Sequence, residues 1–213
     1  MKFTKLFALT AAIIVLLSLV MGCSSSTAAT ATTQPFQIPA NFTTYTDENS
    51  LFSVSYPNQW EPVADLAGVN SQMKDSVKAI KSGLPIDKAS MLFMSGLKNS
   101  TGYYPAVAVV VEPAQGLVLN NGLALQAEIN GLKKLDPNYQ EVSRTKISLN
   151  GKDATIFEYK AHFSTTTGLM HNLALVCLVD KTIWTLTCSA KDEDFSRFSD
   201  DYNNVARSFQ ITK

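Results

Sequence analysis

The fold of this chain is decided by residues 169–209, LMHNLALVCLVDKTIWTLTCSAKDEDFSRFSDDYNNVARSF. Two runs of aliphatic, aromatic and β-branched residues flank Asp180-Lys181, a polar pair that suits a two-residue hairpin turn. Such a turn places Cys177 opposite Trp184. Because both faces of this hairpin are apolar, we predict that it lies in the centre of a sheet that is covered on both sides.

A helix is predicted directly after the hairpin. Its apolar residues are spaced three, four, three and four positions apart, the pattern of one buried helical stripe. They are Phe195, Phe198, Tyr202, Val205 and Phe209. The carboxylates of residues 192–194 stand at the start of the helix, where we expect them to cap free N–H groups and to meet the positive end of the helix dipole. The stripe is expected to pack on one face of the hairpin.

Length and charge limit the class of protein. The chain has 213 residues, with 18 basic and 18 acidic side chains. Removing a leader that contains Lys2 and Lys5 leaves 16 basic side chains against 18 acidic ones. This balance gives no basic excess for nucleic-acid binding, and the length suits one globular domain of ordinary size.

The cysteines of the hairpin are predicted to be buried free thiols. In the predicted register Cys177 and Cys188 are offset by four residues, which separates them by roughly 13 Å at the rise of a β-strand. That separation is too long for a disulfide bond. Both cysteines lie in apolar runs without an activating group nearby in the sequence, so a catalytic thiol is not expected.

The first 22 residues are predicted to be a lipoprotein signal peptide. Two lysines precede an apolar run of 16 residues, which is short for a membrane-spanning helix and typical of an export signal. The run ends in Val20-Met21-Gly22-Cys23, which resembles the bacterial lipobox. The resemblance implies cleavage before Cys23 and acylation of this residue. The alternatives are an uncleaved anchor and an ordinary secretory signal.

Residues 23–40 are predicted to be a flexible tether, and residues 41–213 a globular domain. The tether consists mostly of Ser, Thr, Ala and Gln, and a segment of this composition cannot bury a core. Together, leader and tether predict a protein that is lipid-anchored to the cell membrane on its extracytoplasmic face. Acylated Cys23 would contact membrane lipid, and the choice between an inner and an outer membrane stays open.

The rest of the sequence predicts short strands and two further helices. A hairpin is expected at residues 42–56, and Asn150-Gly151 is a favourable turn for a second one. Further strands are expected at residues 90–97, 104–111, 143–149 and 152–163. Helical stripes indicate helices at residues 69–81 and 120–135.

Both ends of the predicted domain resemble PsbP-like domains. The resemblance rests on residues 52–60, FSVSYPNQW, on residues 184–188, WTLTC, and on residues 206–209, ARSF. It extends to the related bacterial DcrB-type lipoproteins. It implies an α+β fold in which an antiparallel β-sheet is covered by helices on both faces, an α/β/α sandwich. These motifs are structural and carry no chemistry.

The two histidines of the sequence are candidates for a metal-binding pair. His162 and His171 flank a predicted loop at residues 164–168. In the predicted register His171 lies opposite Ala161, so the two histidines point to opposite faces and cannot share one ion. A β-bulge would change this conclusion. We therefore predict no metal site here, and treat both residues as ordinary rim or surface histidines.

Two other groups of residues are candidates for a binding site. The acidic residues 192–194 and 200–201 can attract a divalent cation, but they lack the spacing of a calcium loop, so a solvated helix start is preferred. Tyr103 and Tyr104, with Phe93 and Met94, can line a groove, but packing in the core or at a sheet edge is preferred. The sequence contains no phosphate loop, zinc-protease helix or nucleophile elbow. We predict no catalytic residue and no cofactor, and the binding residues stay unknown.

Two functions from different classes remain. The first is a non-enzymatic, membrane-anchored interaction or accessory module for an envelope or membrane protein complex. The PsbP resemblance by itself implies an association with photosystem II, although fold does not fix function. The alternative is an extracytoplasmic binder of a metal ion, a lipid or a small molecule. A concave apolar pocket would favour the binder, and a flat exposed apolar patch the interaction module.

Overall fold

The computed structural model describes residues 36–68, 70, 90–99, 102–114, 120–162 and 168–212. Several predictions fall on residues outside these ranges. They are the signal peptide at residues 1–22, the lipidation of Cys23, most of the tether and most of the helical stripe at residues 69–81. They stay predictions.

Ten strands and two helices are described, in an order that follows the predicted pattern. The first half contains β1 (Phe42–Thr46), β2 (Phe52–Pro57), β3 (Glu61–Pro62), β4 (Ser90–Asn99), β5 (Gly102–Pro113) and α1 (Asn121–Leu135). The second half contains β6 (Gln140–Leu149), β7 (Lys152–His162), β8 (Leu169–Val179), β9 (Thr182–Lys191), α2 (Asp192–Ser208) and β10 (Gln210–Ile211). Each predicted strand of the described residues is present.

The strands form two antiparallel sheets. Seven strands pair in the order β3-β4-β5-β9-β8-β7-β6, and three shorter strands pair in the order β1-β2-β10. The β8–β9 hairpin occupies two of the central positions of the large sheet, as predicted. The predicted α+β fold with an antiparallel sheet is thereby confirmed. The separation of β1, β2 and β10 into a second sheet was not predicted.

The register of the central hairpin is the predicted one. Val179 pairs with Thr182 and Cys177 pairs with Trp184. The turn residues Asp180 and Lys181 have φ angles of 48° and 62°, which are the left-handed values that a tight two-residue turn between twisted strands requires. The turn therefore sets which side chains of β8 and β9 share a face. Cys177 and Cys188 are accordingly far apart in register, buried and free.

One face of the hairpin packs against α2. Leu173, Leu175 and Cys177 belong to a core that also contains Phe195 and Tyr202 of the helix. The predicted stripe of α2 is buried, except that Phe198 is only partly covered. The small sheet completes this core with residues of β2 and β10, so α2 lies between two sheets.

The other face of the hairpin packs against α1. Ala174 and Val176 alternate with the residues that face α2, and they share a second core with Leu125 and Ile129 of α1. The helix also contacts β7. Because successive side chains of β8 point to opposite sides of the sheet, α1 and α2 lie against opposite faces of this strand.

The small sheet is extended by a side chain of α2. β10 pairs with β2 at Phe52 and Ser53 only. At the next position of the same edge, the Oγ of Ser208 accepts a hydrogen bond from the Ser55 N–H at 2.9 Å and lies 3.1 Å from the Ser55 carbonyl oxygen. The last residue of α2 thus satisfies the backbone of β2 where β10 does not reach.

Candidate functional site

A cleft of about 580 Å³ lies between the start of α1 and the β6–β7 hairpin. One wall is formed by the first residues of α1, and the opposite wall by basic residues of β6. Leu125, Ile147 and Ala154 contribute apolar surface to its lining. The cleft therefore combines polar and apolar groups, and differs from the concave, mainly apolar pocket that would typify a lipid binder.

The α1 wall is held in place by two asparagines. Asn120 caps the helix, because its Oδ1 accepts a hydrogen bond from the Leu123 N–H at 3.0 Å. Asn121 donates from its Nδ2 to the Oγ1 of Thr155 at 3.2 Å and accepts from the Leu178 N–H at 3.1 Å. The side chain of Asn121 thus ties α1 to β7 and to β8. The first turn of α1 contains no acidic residue, so no carboxylate there offsets the positive end of its dipole.

A bulge determines which side chains of β6 face the cleft. The register shifts between Glu141 and Ser143, which leaves Val142 as an extra residue. Before the shift Glu141 lies opposite Tyr159, and after it Arg144 lies opposite Phe157. Tyr159 and Phe157 are two residues apart and share a face, and so Glu141 and Arg144 share this face too. Strict alternation would have placed them on opposite faces.

Arg144 and Lys146 form the basic wall of the cleft. They are separated by one residue on a regular stretch of β6, so they lie on the same face. The Nε and Nη2 of Arg144 donate to the two carboxylate oxygens of Glu141 at 2.8 and 2.7 Å, and this hydrogen bonding raises the pKa of Arg144. Asp153 is the one carboxylate among the lining residues.

β6 is also a free edge of the large sheet. It is the last strand in the sheet order, and β7 is its one partner among the described strands. Residues 140–146 are all exposed, on both faces of the strand, and Val142 is 51 % exposed. The cleft and the free edge are thus adjoining parts of one surface, which we call the β6 edge (residues 140–149 with the α1 start).

A second polar cluster surrounds His171 on the α2 side of the sheet. The Nε2 of His171 lies 2.7 Å from the Oε1 of Glu158, and its Nδ1 lies 3.1 Å from the Oδ1 of Asp192. The same oxygen of Asp192 is 2.6 Å from the Nζ of Lys160. The ring of His171 stacks on Phe195 with a centroid separation of 3.6 Å. The hydrogen bond from Lys160 is the main cause of a lowered pKa of Asp192.

The predicted position of His171 is wrong in two respects. His171 lies opposite Lys160 rather than opposite Ala161, because the connection after β7 is one residue longer than predicted. The slip of one residue moves every side chain of a strand to the other face. His171 is also 8 % exposed, so it is a buried member of a charged cluster and not a surface histidine.

His162 takes no part in this cluster. Its side chain is 56 % exposed, and its Nδ1 lies 3.4 Å from the Oδ2 of Asp136. The same carboxylate oxygen accepts a hydrogen bond from the His162 N–H at 2.6 Å, the main cause of the lowered pKa of Asp136. The two histidines therefore have different carboxylate partners.

The acidic start of α2 does not cap the helix. The cap position is held by Lys191, which makes no side-chain capping hydrogen bond, so the predicted capping is wrong. Asp192, Glu193 and Asp194 occupy the first turn instead, where they face the positive end of the dipole. Among the described residues no group of three His, Cys, Asp or Glu side chains is arranged to hold a metal ion.

The two thiols are protonated in this environment. The Sγ of Cys177 donates to the Asp153 carbonyl oxygen at 3.3 Å. Burial raises the pKa of the Cys177 thiol, and burial alone raises that of the Cys188 thiol still further. A protonated thiol is a poor nucleophile, so neither group is poised for catalysis.

Sequence reasoning missed one group with unusual acidity. Glu128 lies on the inner side of α1, and burial together with the negative charge of Glu112 raises the pKa of Glu128 to about 7. Burial also raises the pKa of Glu112 and of Tyr159. The signal was present in the sequence, because position 128 falls between Leu125 and Leu132 on the same helical face.

Packing in the core, the preferred alternative to an aromatic groove, is confirmed for Phe93. Phe93 is 2 % exposed, and its ring stacks on Tyr45 with a centroid separation of 4.5 Å, so it belongs to the core. The side chains of Tyr103 and Tyr104 lie outside the described part of the structure. No helix among the described residues is long and apolar enough to cross a membrane.

The chain is similar to known proteins at the level of one family model and of several solved structures. A sequence model of the PsbP family matches residues 40–211. No curated protein matches the sequence significantly. Among solved structures, the chain resembles cyanobacterial PsbP (CyanoP) from Synechocystis sp. PCC 6803, with 15 % identity and a TM-score of 0.51. This similarity covers 81 % of the chain and 94 % of CyanoP, and it concerns the fold.

Two further structures show weaker similarity. LpqN from Mycobacterium tuberculosis, described as involved in cell envelope biogenesis, is 13 % identical over 76 % of this chain and 83 % of its own, with a TM-score of 0.49. PA94 from Pseudomonas aeruginosa, a protein of unknown function described as a putative regulator, is 10 % identical over 79 % of this chain and 95 % of its own, with a TM-score of 0.45.

Proposed function

Because the chain belongs to the PsbP family, we propose that it is a membrane-anchored, non-enzymatic accessory module that binds an envelope or membrane protein complex. The observation that carries this proposal is the extent of the family match. Residues 40–211 are matched, and they follow directly on the leader and tether that the sequence predicts. The match thus spans all but the last two residues of the segment that the sequence assigns to the globular domain.

Two features of the described residues support a role without catalysis. Both thiols of the domain are buried and protonated, and the buried histidine is engaged by Glu158 and Asp192. Residues 140–146 of the β6 edge are all exposed and mostly polar, so they offer surface for contact with another molecule. This distribution fits an interaction module.

Membrane attachment is the second part of the proposal. Lipidation of Cys23 would hold the domain at the extracytoplasmic face of the cell membrane, at the end of an uncharged tether. Several acyl chains on one cysteine give stable anchoring where a single chain does not. Anchoring confines the domain to the membrane surface, and so raises its effective concentration near a membrane-embedded partner.

The alternative is an extracytoplasmic binder of a metal ion, a lipid or a small molecule. The cleft of about 580 Å³ favours it, because this volume lies in the range of ligand sites. Its polar and basic lining favours a small anion over a lipid tail or a cation. The two proposals predict different results when partners are searched for in the cell.

The deciding experiment is cross-linking of the anchored protein in its own cells, followed by mass spectrometry of the recovered proteins. The accessory role predicts one membrane or envelope complex at high stoichiometry. A Cys23→Ser variant serves as the control, because it lacks the lipid anchor and should recover the same complex at lower yield. Radioactive palmitate should label the parent protein and leave Cys23→Ser unlabelled.

Two outcomes would contradict these proposals. Recovery of no stoichiometric partner would refute the accessory role, and the purified protein should then be screened against anions, metals and lipids by thermal shift. Equal palmitate labelling of the parent and of Cys23→Ser would refute lipidation at this cysteine. The two readouts are independent of each other.

A further inference from the structure

We propose that the free edge of β6 is a docking strand for an extended segment of a partner protein that carries acidic side chains at alternate positions. This inference rests on the proposed role as an interaction module, and it names the surface and the chemistry of the partner. The partner segment would add to the large sheet as an eighth strand. Its acidic side chains would enter the cleft beside Arg144 and Lys146.

The backbone of β6 is available for such an addition. β6 is the terminal strand of the sheet, and among the described strands it pairs with β7 alone. Every second residue of an edge strand directs its N–H and C=O outward. These groups can form hydrogen bonds with a further strand that lies about 4.8 Å away. The bulge at Val142 interrupts this edge, which leaves residues 143–149 as a regular stretch for docking.

The basic side chains of β6 determine which partner segment fits. Arg144 and Lys146 are separated by one residue and face the same side. A strand paired with β6 places its own alternate side chains about 5 Å from them. An acidic residue, any residue and a second acidic residue would therefore meet both cations. The positive end of the α1 dipole faces the same cleft and adds to the attraction.

The side chains on the other face of β6 determine which residues suit the positions between the acidic residues of the partner segment. Ser143, Thr145 and Ile147 alternate with the basic residues on the opposite side of the strand. Small and β-branched side chains pair well with β-branched ones across strands. The segment that fits best alternates acidic residues with valine, isoleucine or threonine.

A second copy of this chain is a poor occupant. Antiparallel pairing of two β6 strands about Thr145 sets Arg144 opposite Lys146, and like charges directly opposite each other destabilise a sheet. A register in which Glu141 of one copy lies opposite Arg144 of the other is interrupted by the bulge at Val142. The basic residues thus oppose self-pairing while they attract an acidic strand.

The ion pair on β6 does not block the site. The side chains of Arg144 and Glu141 are 41 % and 31 % exposed, and an ion pair of this kind contributes little to stability because water screens it. A carboxylate of the partner can therefore share or replace Glu141 as the acceptor of Arg144. Lys146 has no ion-pair partner among the described residues.

The test measures binding of a synthetic peptide to the full-length anchored protein in detergent micelles by fluorescence anisotropy. The probe is an acetylated and amidated hexapeptide, Thr-Glu-Val-Glu-Val-Thr, with a dye on a flexible linker. We expect saturable binding, and at least a tenfold weaker affinity for the Arg144→Glu/Lys146→Glu variant. The Lys181→Glu/Arg197→Glu variant has the same net charge with both changes on exposed residues elsewhere, and it should bind as the parent does.

A second peptide separates strand addition from simple attraction of charge. It carries a backbone N-methyl group on both glutamates and both valines, which keeps both carboxylates but removes the N–H groups that a parallel or antiparallel ladder would use. We expect this peptide to bind at least tenfold more weakly. Equal binding of the two peptides, or displacement of the parent peptide by inorganic phosphate at millimolar concentration, would overturn strand addition and leave a plain anion site. Absence of saturable peptide binding would overturn the proposal.

Failure of this inference is distinguishable from failure of the proposed function. Thermal melts should show that the Arg144→Glu/Lys146→Glu variant is folded, since both side chains are at the surface. If this variant still recovers the cellular complex in the cross-linking experiment, the accessory role stands and the β6 edge is not the docking surface. If the parent protein recovers no complex, the accessory role itself fails.

Discussion

Replacement of Ser208 by alanine tests how α2 is joined to the small sheet. In the parent protein the Oγ of Ser208 accepts from the Ser55 N–H at 2.9 Å, and it can donate to the Ser55 carbonyl oxygen at 3.1 Å or to that of Val205 at 2.8 Å. Ser55 and Ser208 are 1 % and 5 % exposed. Water therefore cannot replace the hydroxyl, and the variant leaves the N–H of Ser55 buried without an acceptor.

The expected loss of stability follows from the hydrogen bonds that the variant loses. A buried polar group that loses its partner costs about 1–3 kcal/mol, and the carbonyl of Ser55 loses a donor at the same time. We expect Ser208→Ala to lower the free energy of unfolding by about 2 kcal/mol. For a domain of this size the melting temperature should fall by about 4–8 °C.

The assay is urea denaturation of the chain without its leader, followed by tryptophan fluorescence, because Trp60 and Trp184 are both buried. Ser199→Ala is the matched control. Its hydroxyl donates to the Ser196 carbonyl oxygen within α2 in a solvent-exposed bond, so its loss should change stability by less than about 0.5 kcal/mol. Equal stability of Ser208→Ala and Ser199→Ala would refute the reasoning, as would unchanged hydrogen exchange at the Ser55 amide.

Three further predictions concern side chains with unusual surroundings. The pKa of Glu128 is raised to about 7 in the folded state, so the folded protein holds a proton that the unfolded chain releases above its ordinary pKa of 4.5, and stability should fall as the pH rises between these values. In urea titrations, Glu128→Gln should flatten this dependence and be more stable than the parent protein at pH 7.5. An unchanged pH profile of the variant would contradict this prediction. His171→Ala should lose about 2 kcal/mol of stability in the same assay, because it removes the hydrogen bond to Glu158 and the close contact with Asp192. His162→Ala, at an exposed position, should lose less than about 0.5 kcal/mol, and equal losses would refute the buried cluster. Cys177 and Cys188 should resist alkylation in the folded protein and react fully in unreduced, urea-unfolded protein, as counted by mass spectrometry, and a lack of reaction in urea would point to a disulfide.

The features that the sequence predicts best are those with a local and repeated signal. The β8–β9 register follows from a two-residue turn between long apolar strands, since the turn leaves one pairing that keeps both faces apolar. The stripe of α2 repeats over five apolar positions. These features involve neighbours in the chain, so single-sequence periodicity is enough to predict them.

The features that were missed depend on contacts between distant segments. β3 and β10 contain two residues each, too few for any periodicity, and their partners fix them. The bulge at Val142 and the longer connection before β8 each shift a register by one residue, which reverses the face of His171 and brings Glu141 to Arg144. The sequence allowed the β6 strand to be predicted, but not the surface that it forms with α1.

The pairing of β10 with β2 also constrains when the domain can fold. The hydroxyl of Ser208 and the backbone of Ser55 are separated by 153 positions in the chain, and β10 lies beyond α2. If the predicted leader directs export, the amino-terminal end crosses the membrane first, and the β1–β2 hairpin emerges long before its third strand. Contacts of such long sequence separation close late and slow the folding rate. In that case the hairpin, whose second strand contains Phe52 and Val54, lacks its third strand until the last residues have crossed the membrane, and in that interval it depends on protection from aggregation.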